Sequence, residues 1–76
     1  MTVYELKPAD GSESFYGKAF YIAYSDGTEI LYSYGTPIIE RTLSGELVRL
    51  WDDWSATTGR HIKAFCGLNK AEYMQL

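Results

Sequence analysis

Cysteine and histidine are each represented once in the chain, by Cys66 and His61. A single thiol forms no disulfide within the chain and builds no cysteine-based metal site. Long apolar runs are also lacking: the longest span a handful of residues, far short of a membrane crossing. The stretch from Met1 to Lys7 has no basic-then-apolar layout of a secretory signal, so an intracellular chain, cytoplasmic in a bacterial cell, is the expectation. Basic charge is scarce too. Ten acidic groups against seven basic ones give a net charge of −3, which argues against a general nucleic-acid binder with its concentrated cationic patch. Finally, there is no phosphate-cradling glycine loop. Gly11, Gly17, Gly27, Gly35 and Gly45 are scattered one to a turn, so no cofactor is expected.

What the chain has in surplus is aromatic residues, 16% of 76 positions, with seven tyrosines and two tryptophans. A chain this short is one domain near the lower limit for folding on its own core. Large rings bury much surface per residue and offset that poor surface-to-volume ratio.

The local signals predict an α+β fold: an antiparallel sheet of four to five strands with a C-terminal helix packed on one face. Thr2 to Leu6 reads as a first strand ended by Lys7-Pro8, and the polar, turn-rich stretch from Pro8 to Ser14 as a loop. Lys18–Ser25 and Thr28–Tyr34 read as the arms of a hairpin about Asp26-Gly27, a dipeptide suited to a two-residue type I′ turn. That turn sets Tyr24 opposite Glu29, Ala23 opposite Ile30, Ile22 opposite Leu31 and Tyr21 opposite Tyr32. Phe20, Ile22 and Leu31 then form the side under the helix. Ala19, Tyr21, Ala23, Ile30, Tyr32 and Tyr34 form a tyrosine-lined outer side. After a turn at Tyr34 to Pro37, Ile38–Leu43 and Glu46–Trp51 read as a second hairpin about Ser44-Gly45, with Glu40 facing Arg49 and Ile39 facing Leu50.

Beyond Trp54 the period becomes helical. Ser55 or Thr57 suits the N-cap, Gly67 suits a left-handed C-terminal position, and Thr58, Ile62, Phe65 and Cys66 fall on one face. Gly59 costs about 1 kcal/mol against alanine and would permit close approach to the sheet. Asn69 followed by Glu72 forms a capping-box pattern ahead of a last short helix.

Catalytic arrangements find little support. Five positions on a helix turn the chain by about 500°, so His61 and Cys66 diverge and make no dyad. Their ordinary roles are a packed ring near the helix start, beside a tryptophan or a backbone carbonyl, and a small buried hydrophobe. Asp52 and Asp53, adjacent in an extended segment, point to opposite sides and share no proton. They offer too few oxygens for calcium and suit the approach to a helix N-terminus.

Three stretches, Ser14-Phe15-Tyr16-Gly17-Lys18-Ala19, Tyr32-Ser33-Tyr34-Gly35-Thr36-Pro37 and Trp54-Ser55-Ala56-Thr57-Thr58-Gly59-Arg60-His61-Ile62, together resemble a family of short domains. These are encoded by bacteriophages and mobile elements of gut and lactic-acid bacteria and have no established function. The resemblance spans residues 14–68 and carries no catalytic residues. It implies a small acidic inhibitor of host machinery, similar in size and charge to anti-CRISPR proteins.

The sequence therefore predicts a non-enzymatic protein that binds and inhibits a host protein, a CRISPR-Cas effector among the candidates. Asp26, Glu29, Asp52 and Asp53 would meet basic groups on the target, with Tyr21, Tyr32 and Tyr34 as anchors, since tyrosine gives large contact area at low entropic cost. The alternatives are a nucleic-acid accessory domain using Arg60 and Lys63 on phosphates, and a homodimer through the tyrosine side.

Overall fold

The computed structural model describes residues 1–8, 15 and 17–76; the expected loop beyond Pro8 lies outside them. Five strands form one antiparallel sheet in chain order: β1 (Thr2–Glu5), β2 (Ala19–Ala23), β3 (Glu29–Ser33), β4 (Thr36–Arg41) and β5 (Leu47–Arg49). Helices α1 (Ala56–Cys66) and α2 (Lys70–Met74) follow. This is the expected α+β arrangement.

The turns fall where expected, but two have a different length. Tyr24 N–H donates to the Thr28 carbonyl at 2.8 Å and Gly27 N–H to the Tyr24 carbonyl at 3.0 Å, with Gly27 at φ +92°. These bonds enclose three residues, Ser25 to Gly27, in a type I turn closed by a left-handed glycine and a bulge. The second hairpin repeats the design. Thr42 N–H reaches the Glu46 carbonyl at 2.8 Å, Gly45 N–H reaches Thr42 at 2.9 Å, and Gly45 lies at φ +91°.

One extra residue per turn shifts each register by one. Ala23 pairs Glu29, Ile22 pairs Ile30, Tyr21 pairs Leu31 and Phe20 pairs Tyr32. Ile39 pairs Arg49 and Glu40 pairs Val48, so the expected Glu40–Arg49 pair does not form. The two-residue type I′ turn sits instead at Tyr34-Gly35, between the paired Ser33 and Thr36, with both central φ angles positive at +52° and +80°. Leu31 pairs Ile39 while Tyr32 pairs Pro37, leaving Ile38 as an extra residue. That bulge lets the consecutive Ile38 and Ile39 both be buried.

The slip re-sorts the faces. Ala19, Leu31 and Ser33 are sealed under the helices, with Tyr21 packed beside them. Phe20 and Ile22, expected under the helix, point outward because they pair with Ile30 and Tyr32. Tyr21, expected outward, lies on the helix side, its ring 5.0 Å from Tyr4 and 5.4 Å from Phe65.

The core joins Leu6, Phe15, Ala19, Leu31, Ile38 and Ile39 to Ile62, Phe65 and Tyr73 of the helices. Each fully buried leucine or isoleucine contributes roughly 1.5–3 kcal/mol. Ser55 is the N-cap, accepting from Thr58 N–H at 3.1 Å, and Gly67 closes α1 in the left-handed conformation. The Asn69–Glu72 capping box forms in both directions. Tyr73 of α2 sets its hydroxyl 2.7 Å from the Trp51 carbonyl and 2.9 Å from the Ile38 carbonyl, tying the chain between sheet and helix to the sheet. Gly59 is buried against the ring of Trp54 rather than against the sheet.

Candidate functional site

With both helices on one side, the other side of the sheet is covered by no described helix or strand. Its side chains follow from the pairing. One row runs Val3, Ile22, Ile30, Glu40 and Val48 across all five strands; the next runs Glu5, Phe20, Tyr32 and Pro37. The surface is mostly aliphatic and aromatic, with Val3 58% and Val48 38% exposed at its two edges.

Its centre is ordered by ring contacts. Phe20 and Tyr32 stack face to face at 5.3 Å with 11° between their planes. The Tyr32 hydroxyl lies 3.0 Å from that of Tyr24, which stands on the same side two rows further along, beyond the Ile22–Ile30 pair. This hydrogen bond, with burial and the Tyr24 charge adding to it, raises the Tyr32 phenol above its ordinary titration range.

Charge is segregated between the two sides. The strands carry Glu5, Glu29, Glu40, Arg41 and Arg49. Glu5 and Glu40 are on the open side, while Glu29 and both arginines are on the helix side. There Arg41 binds Glu29 at 2.8 Å and lies 4.2 Å over the Phe65 ring, and Arg49 lies 6.0 Å from the Tyr73 ring. The open side is thus apolar with two strand carboxylates, and Lys7 and Lys18, the next residues on that side beyond Glu5 and Phe20, border it.

The expected binding residues do not gather into one surface. Tyr32 is central to the open side, but Tyr21 is on the helix side. Tyr34, 58% exposed in its left-handed turn, lies at the end of the sheet, its ring 5.9 Å from His61 and 5.9 Å from the Lys18 ammonium. Asp26 stays in its turn, accepting from the Thr28 hydroxyl at 2.7 Å and the Thr28 N–H at 3.0 Å, which lowers its carboxyl below the usual range. Glu29 is engaged by Arg41. Asp52 lies 3.5 Å from Arg49, and Asp53 accepts from Trp54 N–H at 2.7 Å. Val3, Glu5, Phe20, Ile22, Glu40 and Val48 were not expected on a common surface. Their signal is the alternation within each strand, which becomes legible only once the turn length is known.

A second cluster is polar and sealed. The Ser33 hydroxyl lies 2.8 Å from His61 Nδ1 and 3.2 Å from the Thr58 hydroxyl, and the Phe15 ring meets the imidazole edge-on at 4.5 Å. Burial, and then the Arg60 charge, push the imidazole below its ordinary 6.5. A serine beside a histidine is the start of a nucleophile–base pair, but His61 is 1% and Ser33 2% exposed, so neither faces a substrate. His61 therefore packs against Ser33, Phe15 and Tyr34. Cys66 points elsewhere, its thiol donating to the Ile62 carbonyl at 3.4 Å; it is only half-buried, and burial raises its pKa. Among the described residues, no three His, Cys, Asp or Glu side chains are grouped to hold a metal. No helix there is long and apolar enough to cross a membrane. Arg60 and Lys63 are both exposed on α1, and the Arg60 guanidinium lies 5.6 Å from the Phe15 ring.

A family model described as a family of unknown function, DUF8033, matches residues 4–75. The chain belongs to that family. The match takes in all five strands and both helices, so the open sheet side and the sealed Ser33–His61 cluster both lie within the family domain. No curated protein and no solved structure matches the chain.

Proposed function

We propose that this domain is a non-enzymatic binding module whose open sheet side docks a partner protein. The observation that supports the reading is the row Val3, Ile22, Ile30 and Val48 beside the Phe20–Tyr32 stack, which no described helix or strand covers while the helices occupy the opposite side. A sheet apolar on both sides calls for a second layer, and a contiguous apolar patch marks interaction surfaces. A host protein in the bacterial cytoplasm, inhibited in the manner of anti-CRISPR proteins, is the partner class suggested by the sequence resemblance, the small size and the acidic balance. A CRISPR effector is one such target. The net charge of −3 opposes nucleic acid, so phosphate contact through Arg60 and Lys63 is the weaker reading.

The test replaces Val3, Ile22, Ile30 and Val48 with threonine, which keeps strand propensity while removing apolar contact. The substituted protein retains its far-ultraviolet circular dichroism and loses the host proteins that the parent captures from a bacterial lysate. Unchanged capture by the folded variant would overturn the reading.

A further inference from the structure

We infer that β1 pairs with β1 of a second copy of this chain, antiparallel about a two-fold axis at Tyr4, joining the two sheets into one continuous sheet. The pairing uses the edge of the sheet and is independent of what the open side binds.

Main-chain direction carries it. Leu6 N–H donates to the Ala19 carbonyl at 3.1 Å, and these two residues are the next pair after Glu5 and Phe20. Bonded and non-bonded pairs alternate in an antiparallel ladder. Thr2, Tyr4 and Leu6 therefore turn their N–H and C=O groups toward β2, while those of Val3 and Glu5 point away from the sheet. No described strand pairs with that edge, and all four β1 residues are exposed. The edge also lacks the usual protection, since β1 contains no proline, lysine or bulge. The opposite edge is guarded. β5 has three residues, and its Arg49 lies 3.5 Å from Asp52 and 3.8 Å from Met74 Sδ.

Side chains select the register. Two copies of one edge related by a two-fold axis normal to the sheet meet antiparallel, with outward-pointing residues bonded to each other. Centring on Glu5 sets like charges directly opposite, which is destabilising. Centring on Val3 carries Glu5 to Met1, beyond the strand. Centring on Tyr4 pairs Val3 with Glu5 of the second copy and Glu5 with its Val3, so every outward N–H and C=O of β1 is satisfied. It also sets the two Tyr4 side chains across from each other in a non-bonded pair, where side chains approach closest. Tyr4 is 45% exposed, and its ring already stacks on Tyr21 at 5.0 Å, which in turn lies 5.4 Å from Phe65. The new pair continues that run of rings along the helix side of both sheets.

The test exchanges charge at the axis. Sedimentation of the full chain over a wide concentration range should show a monomer–dimer equilibrium, with the Val3 and Glu5 amides exchanging more slowly as concentration rises. That exchange readout needs no substitution. Tyr4→Lys and Tyr4→Glu each remove the ring pair and set like charges across the axis, so each alone should dimerise about tenfold more weakly with its far-ultraviolet circular dichroism unchanged. Mixed in equal amounts, the two variants set lysine opposite glutamate and should associate more tightly than either alone. A chain that stays at monomer mass throughout overturns the inference, as does a dimer untouched by both substitutions or a mixture no tighter than its components. Concentration-dependent amide shifts centred on Ile22 and Ile30 would assign the dimer to the open side and overturn the edge pairing. Tyr4 is outside the four threonine positions, so loss of the dimer and loss of lysate capture are read separately.

Discussion

Replacing Gly59 with alanine sets two known effects against each other. Gly59 is in the interior of α1, where alanine is better by about 1 kcal/mol because it loses less backbone freedom on folding. A methyl group built there would overlap Trp54 Cζ2 and come within 2.9 Å of Cε2 and 3.0 Å of Cη2. Ordinary carbon contact begins near 3.5 Å, so the indole has to move outward. The ring also borders Tyr73 at 5.8 Å, and inserting a methyl into a packed site typically costs about 1–3 kcal/mol. The steric term exceeds the propensity gain, giving a net loss of roughly 1 kcal/mol for Gly59→Ala. Urea denaturation followed by circular dichroism measures it. In a Trp54→Ala background the obstruction is gone, and the same substitution should stabilise the domain by up to about 1 kcal/mol. Reversal of sign between the two backgrounds is the required result. Stabilisation by Gly59→Ala in the parent chain would refute the close-approach account of this glycine.

Two further outcomes follow from the buried polar groups. His61 favours its neutral form in the fold, so the unfolded chain binds the extra proton first. Its contribution is complete above the ordinary 6.5 and is lost as pH falls below that value toward the lowered folded one, with a slope of at most about 1.4 kcal/mol per pH unit. Urea midpoints between pH 7.5 and 5 should therefore fall less steeply in His61→Gln than in the parent; parallel curves would exclude the imidazole as the source. Tyr73→Phe removes the hydroxyl that lies between the Trp51 and Ile38 carbonyls, with an expected loss of about 1–2 kcal/mol and little change in secondary structure. An unchanged midpoint would show that those carbonyls are satisfied without it.

The positions of the elements were legible in the residues because local chemistry sets them. Ser55, Gly67 and the Asn69–Glu72 pair mark helix ends through bonds made within a turn of the chain. Asp26-Gly27 and Ser44-Gly45 mark reversals in the same way. Register was not legible, and the reason is specific. A glycine after aspartate or serine serves a two-residue loop with two positive φ angles, or a three-residue loop in which only the glycine is left-handed. Both hairpins use the second form, while the two-residue loop falls at Tyr34-Gly35, where a tyrosine stands in a left-handed position that favours asparagine or glycine. That slip exchanged Tyr21 with Phe20 and Ile22 between the two sides. The partnership of Ser33 with His61 was beyond local signals too, since it joins a strand end to a helix 28 residues away.

The corrected register bears directly on how the open side would bind. Had Tyr21, Tyr32 and Tyr34 shared one surface, its hydroxyls would have needed partners or water at every position. The observed surface has an aliphatic row and one ordered aromatic centre, in which Tyr32 is stacked on Phe20 and hydrogen-bonded to Tyr24. Rings already fixed in the free protein lose little rotamer freedom when a partner lands, and immobilising a mobile side chain otherwise costs about 0.5–1.5 kcal/mol. The hydroxyl pair satisfies its own polar atoms in advance, so a partner covering the centre would not strand an unpaired donor beneath it. Replacing Tyr24 with phenylalanine would leave the apolar area almost unchanged while freeing Tyr32, so weaker docking in that variant would measure preorganisation separately from contact.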